Sequence, residues 1–204
     1  MRKKASVLVA LLAAIAVFIP AGAASAATNP TLSQIINAGT LSVDIVDGSG
    51  IAVASPSVAF PATNYSFSCQ PSVATLGTGT QKIAVKNPLA GGVKVDLNAV
   101  TPATDKWTSG GDNYSYNVAA GAGCTSGQLA VSAGTFTKTV GAGTPVKTLP
   151  GGAFVGASPV TLLNNTGTVR YEAELTGYTL TQQIPAEQPQ GTYSLPMNVS
   201  YIAQ

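Results

Sequence analysis

Apolar residues return at every second position in short runs, and each run is closed within a few residues by glycine, proline or asparagine. Leu41, Val43 and Ile45 form one such run; Tyr65, Phe67 and Cys69 a second; Val93, Val95 and Leu97 a third; Val169, Tyr171, Ala173 and Leu175 a fourth. The longest comprises Tyr193, Leu195, Met197, Val199 and Tyr201. A period of two places these side chains on one face of a strand and the intervening polar residues on the other. One dry and one wet face per strand is the pattern of antiparallel sheets, not of a parallel core buried on both sides. The expected fold is therefore all-β, a single antiparallel β-sandwich or jelly-roll-like domain.

Turn signals divide the runs, among them Gly48-Ser49-Gly50, Gly91-Gly92, Gly110-Gly111-Asp112 and Asn164-Asn165-Thr166-Gly167. Pro56, Pro61, Pro185, Pro189 and Pro196 cannot donate ladder hydrogen bonds, so they belong at strand ends, edges or bulges. Pro196 interrupts the final run and makes that strand an edge or a bulged one. The Gly/Thr/Ala-rich stretch 133–156 reads as an excursion from the sheets. Leu32, Ile35 and Ile36 follow Pro30 at helical spacing and predict one short helical turn over 31–37, leading into the first strand.

The first 26 residues read as an address. Arg2, Lys3 and Lys4 precede an apolar stretch from Ala5 to Ile19, and Ala24-Ser25-Ala26 supplies the small residues of a secretory cleavage site, with the cut expected between Ala26 and Ala27. The apolar stretch is shorter than the roughly 20 residues of a membrane span. The expected division is thus a signal peptide over 1–26 and one β-sandwich domain over 27–204, with no integral membrane span in the mature chain. Ala27 is not the cysteine of a lipoprotein, and Arg2-Lys3 is not a twin-arginine pair.

Cleavage also changes the charge. Three of the ten basic residues lie in the leader, leaving seven against eight acidic ones, so the mature net charge is near −1. The remaining basic residues are scattered singly, which argues against a nucleic-acid partner. The two cysteines, Cys69 and Cys124, are expected to pair in an oxidising setting, and closing the loop between them contributes about 4 kcal/mol in the chain-entropy model.

Histidine is absent from the chain, which removes Ser-His-Asp and Cys-His catalysis and histidine-based metal sites. Glu172 and Glu174 lie two apart on one strand and loosely meet the spacing of a glycosidase pair, about 5 to 10 Å, but as alternating residues they are read as a wet strand face. In the loop from Asp105 to Asn113, Asp105 and Asp112 are the candidate metal ligands, with calcium as the candidate ion. Lys106 and the unmatched spacing make an ordinary polar turn the competing explanation. Around the same loop Trp107, Tyr114 and Tyr116 are the candidate ligand-binding residues, since tyrosine and tryptophan offer rigid contact area with a polar tip. Tyr114 and Tyr116 also alternate about Ser115, as core residues of a strand would.

The C-terminal stretch Leu175-Thr176-Gly177-Tyr178-Thr179-Leu180, followed by Ile184-Pro185-Ala186-Glu187-Gln188-Pro189-Gln190-Gly191-Thr192-Tyr193, resembles the closing strand pair of WxL-type cell-wall-binding domains and similar secreted bacterial β-sandwich surface proteins. Gly39-Thr40-Leu41-Ser42-Val43 and Pro56-Ser57-Val58-Ala59-Phe60 are similar to the opening of that group. About a third of the mature chain carries the likeness. The Trp-x-Leu motifs are missing, for the sole tryptophan, Trp107, is followed by Thr108 and Ser109, so no residue here inherits a peptidoglycan-attachment role. The resemblance implies a β-sandwich fold and an extracellular, cell-surface location.

The expected function is a non-catalytic module that binds or builds the cell envelope, with a cell-wall polymer, glycan or surface protein as partner and no cofactor unless calcium binds. Two other functions compete: a filament or fimbria-like subunit, in which residues 27–37 insert into a neighbour, and a carbohydrate-active enzyme using Glu172.

Overall fold

The computed structural model describes residues 33–37, 39–119, 121 and 124–204. The chain separates into two units, Met1–Ile36 and Asn37–Gln204. The expected signal peptide over 1–26 and its expected Ala26–Ala27 cleavage site lie outside the described residues, as do 31 and 32 of the expected helical turn; residues 33–37 carry no helix, which corrects that expectation for them. Leu32, Ile35 and Ile36 offer barely one turn of apolar spacing, and nucleating a helix fixes several residues for a single hydrogen bond.

Among the described residues the second unit holds fourteen strands: β1 Ser42–Val46, β2 Gln70–Leu76, β3 Lys82–Asn87, β4 Val93–Ala99, β5 Trp107–Ser109, β6 Asp112–Tyr114, β7 Leu129–Val131, β8 Thr135–Val140, β9 Lys147–Thr148, β10 Gly152–Ala153, β11 Val160–Asn165, β12 Tyr171–Thr176, β13 Tyr178–Ile184 and β14 Met197–Ala203. They form three four-stranded sheets, in the orders β1-β3-β12-β8, β10-β7-β13-β2 and β14-β4-β11-β9, and the hairpin β5-β6. Every pairing is antiparallel. The chain is all-β and sandwich-like, with no helix among the described residues; accordingly, none of them belongs to a helix long and apolar enough to cross a membrane.

The inward residues of the three sheets share one core. Ile83 and Val85 of β3, Val93 and Val95 of β4, Leu162 and Leu163 of β11, Leu175 of β12 and Tyr178 of β13 are wholly buried in it. Each such aliphatic side chain contributes roughly 1.5–3 kcal/mol on burial. β12 and β13 are nearly one continuous strand, broken only at Gly177, so the ribbon from Tyr171 to Ile184 leaves the first sheet and enters the second. Such corner-turning is how sheets are joined at a sharp angle.

Two expected elements differ. Asn64–Cys69 is not a strand; pairing begins at Gln70, opposite Ile184. The next residue of the partner is Pro185, which has no N–H to extend the ladder, so the stretch before Gln70 leaves the sheet and Tyr65 and Phe67 stand 57% and 77% exposed. The Gly/Thr/Ala-rich stretch 133–156 is no excursion, for it contributes β8, β9 and β10. β8 is an edge strand with nearly all of its side chains exposed; it is held by its ladder to β12, with Phe136 packed against Tyr171 at 5.6 Å. β14 is also an edge strand and starts directly after Pro196, as a proline at that position requires.

Candidate functional site

The hairpin β5-β6 turns through Gly110 and Gly111, with Gly110 at φ 58, a backbone conformation that only glycine adopts cheaply. Its register sets Trp107 opposite Tyr114, and their rings stack at 6.1 Å with 16° between planes. Phe60 meets the indole edge-on at 5.5 Å, and Tyr193 leans on Tyr114 at 5.2 Å. Phe60, Trp107, Tyr114 and Tyr193 therefore form one aromatic row. Reciprocal backbone hydrogen bonds between Thr108 and Ser194, each 3.0 Å, tie the hairpin to the segment that carries Tyr193.

Trp107 is half-buried, and its Nε1–H donates to Gln182 Oε1 at 2.8 Å. Gln182 is itself buried and donates from Nε2 to the Gln183 carbonyl at 2.7 Å, so its amide is held in one orientation. Tyr114 is buried enough that desolvation, helped by the neighbouring Tyr193, holds its hydroxyl well above the ordinary phenol range. Tyr116 has no exposed surface at all: its ring lies edge-on to Phe154 at 5.4 Å and its hydroxyl donates to the Pro102 carbonyl at 3.3 Å. Of the three expected ligand-binding residues, Trp107 and Tyr114 share the row, whereas Tyr116 is a core residue. The alternation about Ser115 turns both tyrosines inward, and this corrects the assignment of Tyr116 to a binding surface.

The expected calcium pair is also taken apart. Asp105 closes the turn after β4, its Oδ2 accepting from the Thr101 amide at 2.6 Å, while Asp112 pairs with Ser109 at the tip of the hairpin. Four residues of extended chain separate Asp105 from Ser109, roughly 13 Å, too far for two carboxylates to share one ion. Among the described residues there is no group of three or more cysteine, aspartate or glutamate side chains placed to hold a metal. Glu172 and Glu174 lie on the outward face of β12, with Glu174 paired to Lys82 at 3.0 Å.

The aromatic row is flanked by two clefts. The first, about 420 Å³, is apolar and bounded by Ile45, Val58, Phe60, Trp107, Leu195 and Met197. The second, about 330 Å³, is bounded by Asn64, Tyr65, Gln70, Gln188, Gln190 and Tyr193, with Tyr114 behind them. Tyr193 borders both. Among the described residues none of the side chains lining either cleft carries a charge at neutral pH.

The second cleft is fixed from behind. Cys69 and Cys124 are joined in a disulfide with their Cα atoms 5.6 Å apart. The Ala186 amide donates to the Cys124 carbonyl at 3.1 Å and the Glu187 amide to the Ser66 carbonyl at 2.8 Å. The bridge thus links the wall 63–70 to the wall 184–191. Tyr193 accepts from Gln188 Nε2 at 2.7 Å and donates to the Pro189 carbonyl at 2.9 Å. Glu187 sits at φ 57, a left-handed conformation that costs a non-glycine residue of order 1 kcal/mol or more.

The sequence singled out Trp107 and Tyr114 but not Gln70, Gln188, Gln190 or Tyr193, whose signal was the proline-punctuated amide run Gln188-Pro189-Gln190-Gly191. No protein-family model matches the chain, and no curated protein or solved structure matches it.

Proposed function

We propose that the chain is a secreted, cell-surface-associated, non-catalytic module that binds the cell envelope, and that the amide- and tyrosine-lined cleft is where it does so. The observation that carries this reading is chemical. A cleft bounded by Asn64, Gln70, Gln188 and Gln190, with Tyr65 and Tyr193 as aromatic walls, offers paired donors and acceptors and flat apolar faces but no charge. Those are the groups that match a neutral polyhydroxylated polymer, which needs hydrogen bonds to its hydroxyls and contact for its C–H faces. Neither cleft contains a carboxylate to act as acid, base or nucleophile, which favours binding over glycoside hydrolysis. The leader-like N-terminus, the disulfide and the resemblance of the C-terminal stretch to WxL-type domains all support an extracellular setting.

Co-sedimentation of the secreted protein with purified cell-wall material, with soluble neutral sugars or peptides as competitors, tests this reading. Tyr65 stands at the cleft rim and 57% exposed, so Tyr65→Ala is expected to weaken wall binding by about 1–2 kcal/mol while leaving the unfolding midpoint unchanged. Wall binding that is unaffected by Tyr65→Ala and by sugar competitors overturns the assignment to this cleft.

A further inference from the structure

The third sheet brings an amine, a carboxylate and a carboxamide together on its outer face. β4 runs between β14 and β11, and its Val93, Val95 and Leu97 point into the core. Lys94 and Asp96 therefore share the opposite face. Across the ladder Lys94 stands directly opposite Asn164 of β11, and Asp96 opposite Thr161. Directly opposed residues hold their Cβ atoms about 4.5–5.5 Å apart on one face. The Lys94 ammonium lies 2.9 Å from Asp96 Oδ2, and Thr161 Oγ1 donates to Asp96 Oδ1 at 2.8 Å. Asp96 is thus fixed at both oxygens, with its side chain only 4% exposed. None of Lys94, Asp96 and Asn164 lines either cleft.

An ion pair accounts for Lys94 and Asp96 but not for Asn164. Its Oδ1 is buried and accepts no hydrogen bond among the described residues, a costly state for an amide oxygen. We propose that Lys94 and Asn164 join in an isopeptide bond, with Asp96 as the proton carrier. Asp96 takes one proton from the ammonium, and the freed Nζ attacks Asn164 Cγ. Negative charge then develops on Oδ1, where the protonated Asp96 carboxyl, a diagonal neighbour across the ladder, meets it. The acceptor without a partner gains a donor in the state that needs one. The Nζ–Cγ bond forms and the Cγ–Nδ2 bond breaks, and Nδ2 takes the second Nζ proton and leaves as ammonia. Ammonia carries off the first proton from Asp96, which returns to carboxylate. The sum is an ammonium and a carboxamide giving a secondary amide and an ammonium ion, with no oxidant or reductant. The Lys94 side chain is 30% exposed, so the leaving group has a way out to water. Unlike the Cys69–Cys124 bridge, the resulting tie between β4 and β11 is not cut by thiols.

Peptide mapping of the full chain, folded and then reduced, denatured and digested, provides the test. Trypsin does not cut after an acylated lysine, so linked protein is expected to yield residues 87–106 joined to residues 148–170, lighter by one ammonia than the two together. Unlinked protein yields 87–94, 95–106 and 148–170 as separate peptides. Lys94→Arg keeps a cation beside Asp96 but offers no nucleophilic amine, and Asn164→Ala removes the carboxamide. Both are expected to abolish the joined peptide with circular dichroism unaltered. Asp96→Asn keeps the shape of the side chain but cannot carry the proton, and is expected to slow joining by at least about a hundredfold. That rate is read as growth of the joined peptide with time in freshly folded protein. Should Asp96→Asn fail to fold, the wild-type map and Lys94→Arg still decide the matter. Separate peptides from wild type after prolonged incubation overturn the proposal. So does a joined peptide that persists in Lys94→Arg, or one that forms at the wild-type rate in folded Asp96→Asn.

Discussion

The Gly177 amide donates to the Gly77 carbonyl at 2.8 Å, and both glycines have left-handed backbones, at φ 72 and φ 80. This contact closes the corner where β12 becomes β13, and the two glycines are not equivalent. A Cβ on Gly77 would lie 2.8 Å from Thr176 Cα and 2.9 Å from the Leu175 carbonyl oxygen, whereas one on Gly177 would meet nothing within 4 Å. Gly177→Ala is therefore expected to cost only the backbone term, about 1–2 kcal/mol. Gly77→Ala adds a clash with backbone that cannot swing aside, for a total of about 2–4 kcal/mol. Urea unfolding of the two variants checks the order; equal losses would show that the corner relaxes around an added methyl.

Trp107 is expected to answer to two different substitutions in two different ways. Trp107→Phe keeps an aromatic ring against Phe60 and Tyr114 but leaves the buried Gln182 Oε1 without its donor, a loss of about 1–3 kcal/mol. Trp107→Ala removes the stack as well and is expected to cost about 3–5 kcal/mol. If Trp107→Phe is neutral in denaturant unfolding, the indole–amide hydrogen bond carries no net stability.

Removing the bridge with Cys69→Ser and Cys124→Ser is expected to lower stability by up to about 4 kcal/mol. The same change removes one of the ties behind the cleft, leaving the Glu187–Ser66 hydrogen bond and the Gln70–Ile184 pairing in place, so envelope binding is expected to weaken as the Cys124 side of the wall loosens. Comparing wall co-sedimentation of the bridgeless protein and wild type under conditions where both are folded separates a stabilising bridge from one that also holds the cleft in shape.

Tyr171 supplies a pH prediction. Burial pushes its hydroxyl up to about 12, with the Asn165 and Asn87 amides beside it offsetting only part of that, and no partner meets the hydroxyl with good hydrogen-bond geometry. The folded protein thus holds this proton more tightly than the unfolded chain, whose tyrosine titrates near 10. The contribution is fully present below pH 10 and is lost as the pH rises towards 12. Tyr178 and Tyr114, also raised by burial, act in the same direction. The unfolding midpoint is expected to fall steeply above pH 10, and Tyr171→Phe is expected to be nearly neutral at pH 7 and to make that fall shallower. A midpoint that is flat from pH 9 to 12 contradicts the assignment.

Where alternation coincided with a ladder, the residues could be read directly. Val93, Val95 and Leu97, and Tyr171, Ala173 and Leu175, are the buried faces of β4 and β12, and Cys69 and Cys124 are paired. Where it failed, a partner strand was the missing fact. Tyr65 and Phe67 alternate as well as any core pair, yet Pro185 ends the ladder across from them. The converse holds for β8, whose Thr135–Val140 sequence is polar enough to pass for a loop but finds a paired strand in β12. The candidate site was half legible. Trp107 and Tyr114 are neighbours in sequence through a hairpin, whereas Gln188 and Gln190 meet Asn64 and Gln70 only because strand pairing and the disulfide fold distant loops onto each other.

The edge strands carry a last consequence, concerning which associations the fold discourages. β2 is the open border of its sheet and contains Pro71, β14 is preceded by Pro196, and β8 presents Lys138. A missing amide donor or a cation at the border makes a poor template for a foreign strand, which is how sheet proteins resist indiscriminate edge-to-edge aggregation. At high concentration such a domain is steered away from amorphous clumping, and lateral crowding alone is not expected to seed amyloid-like stacking.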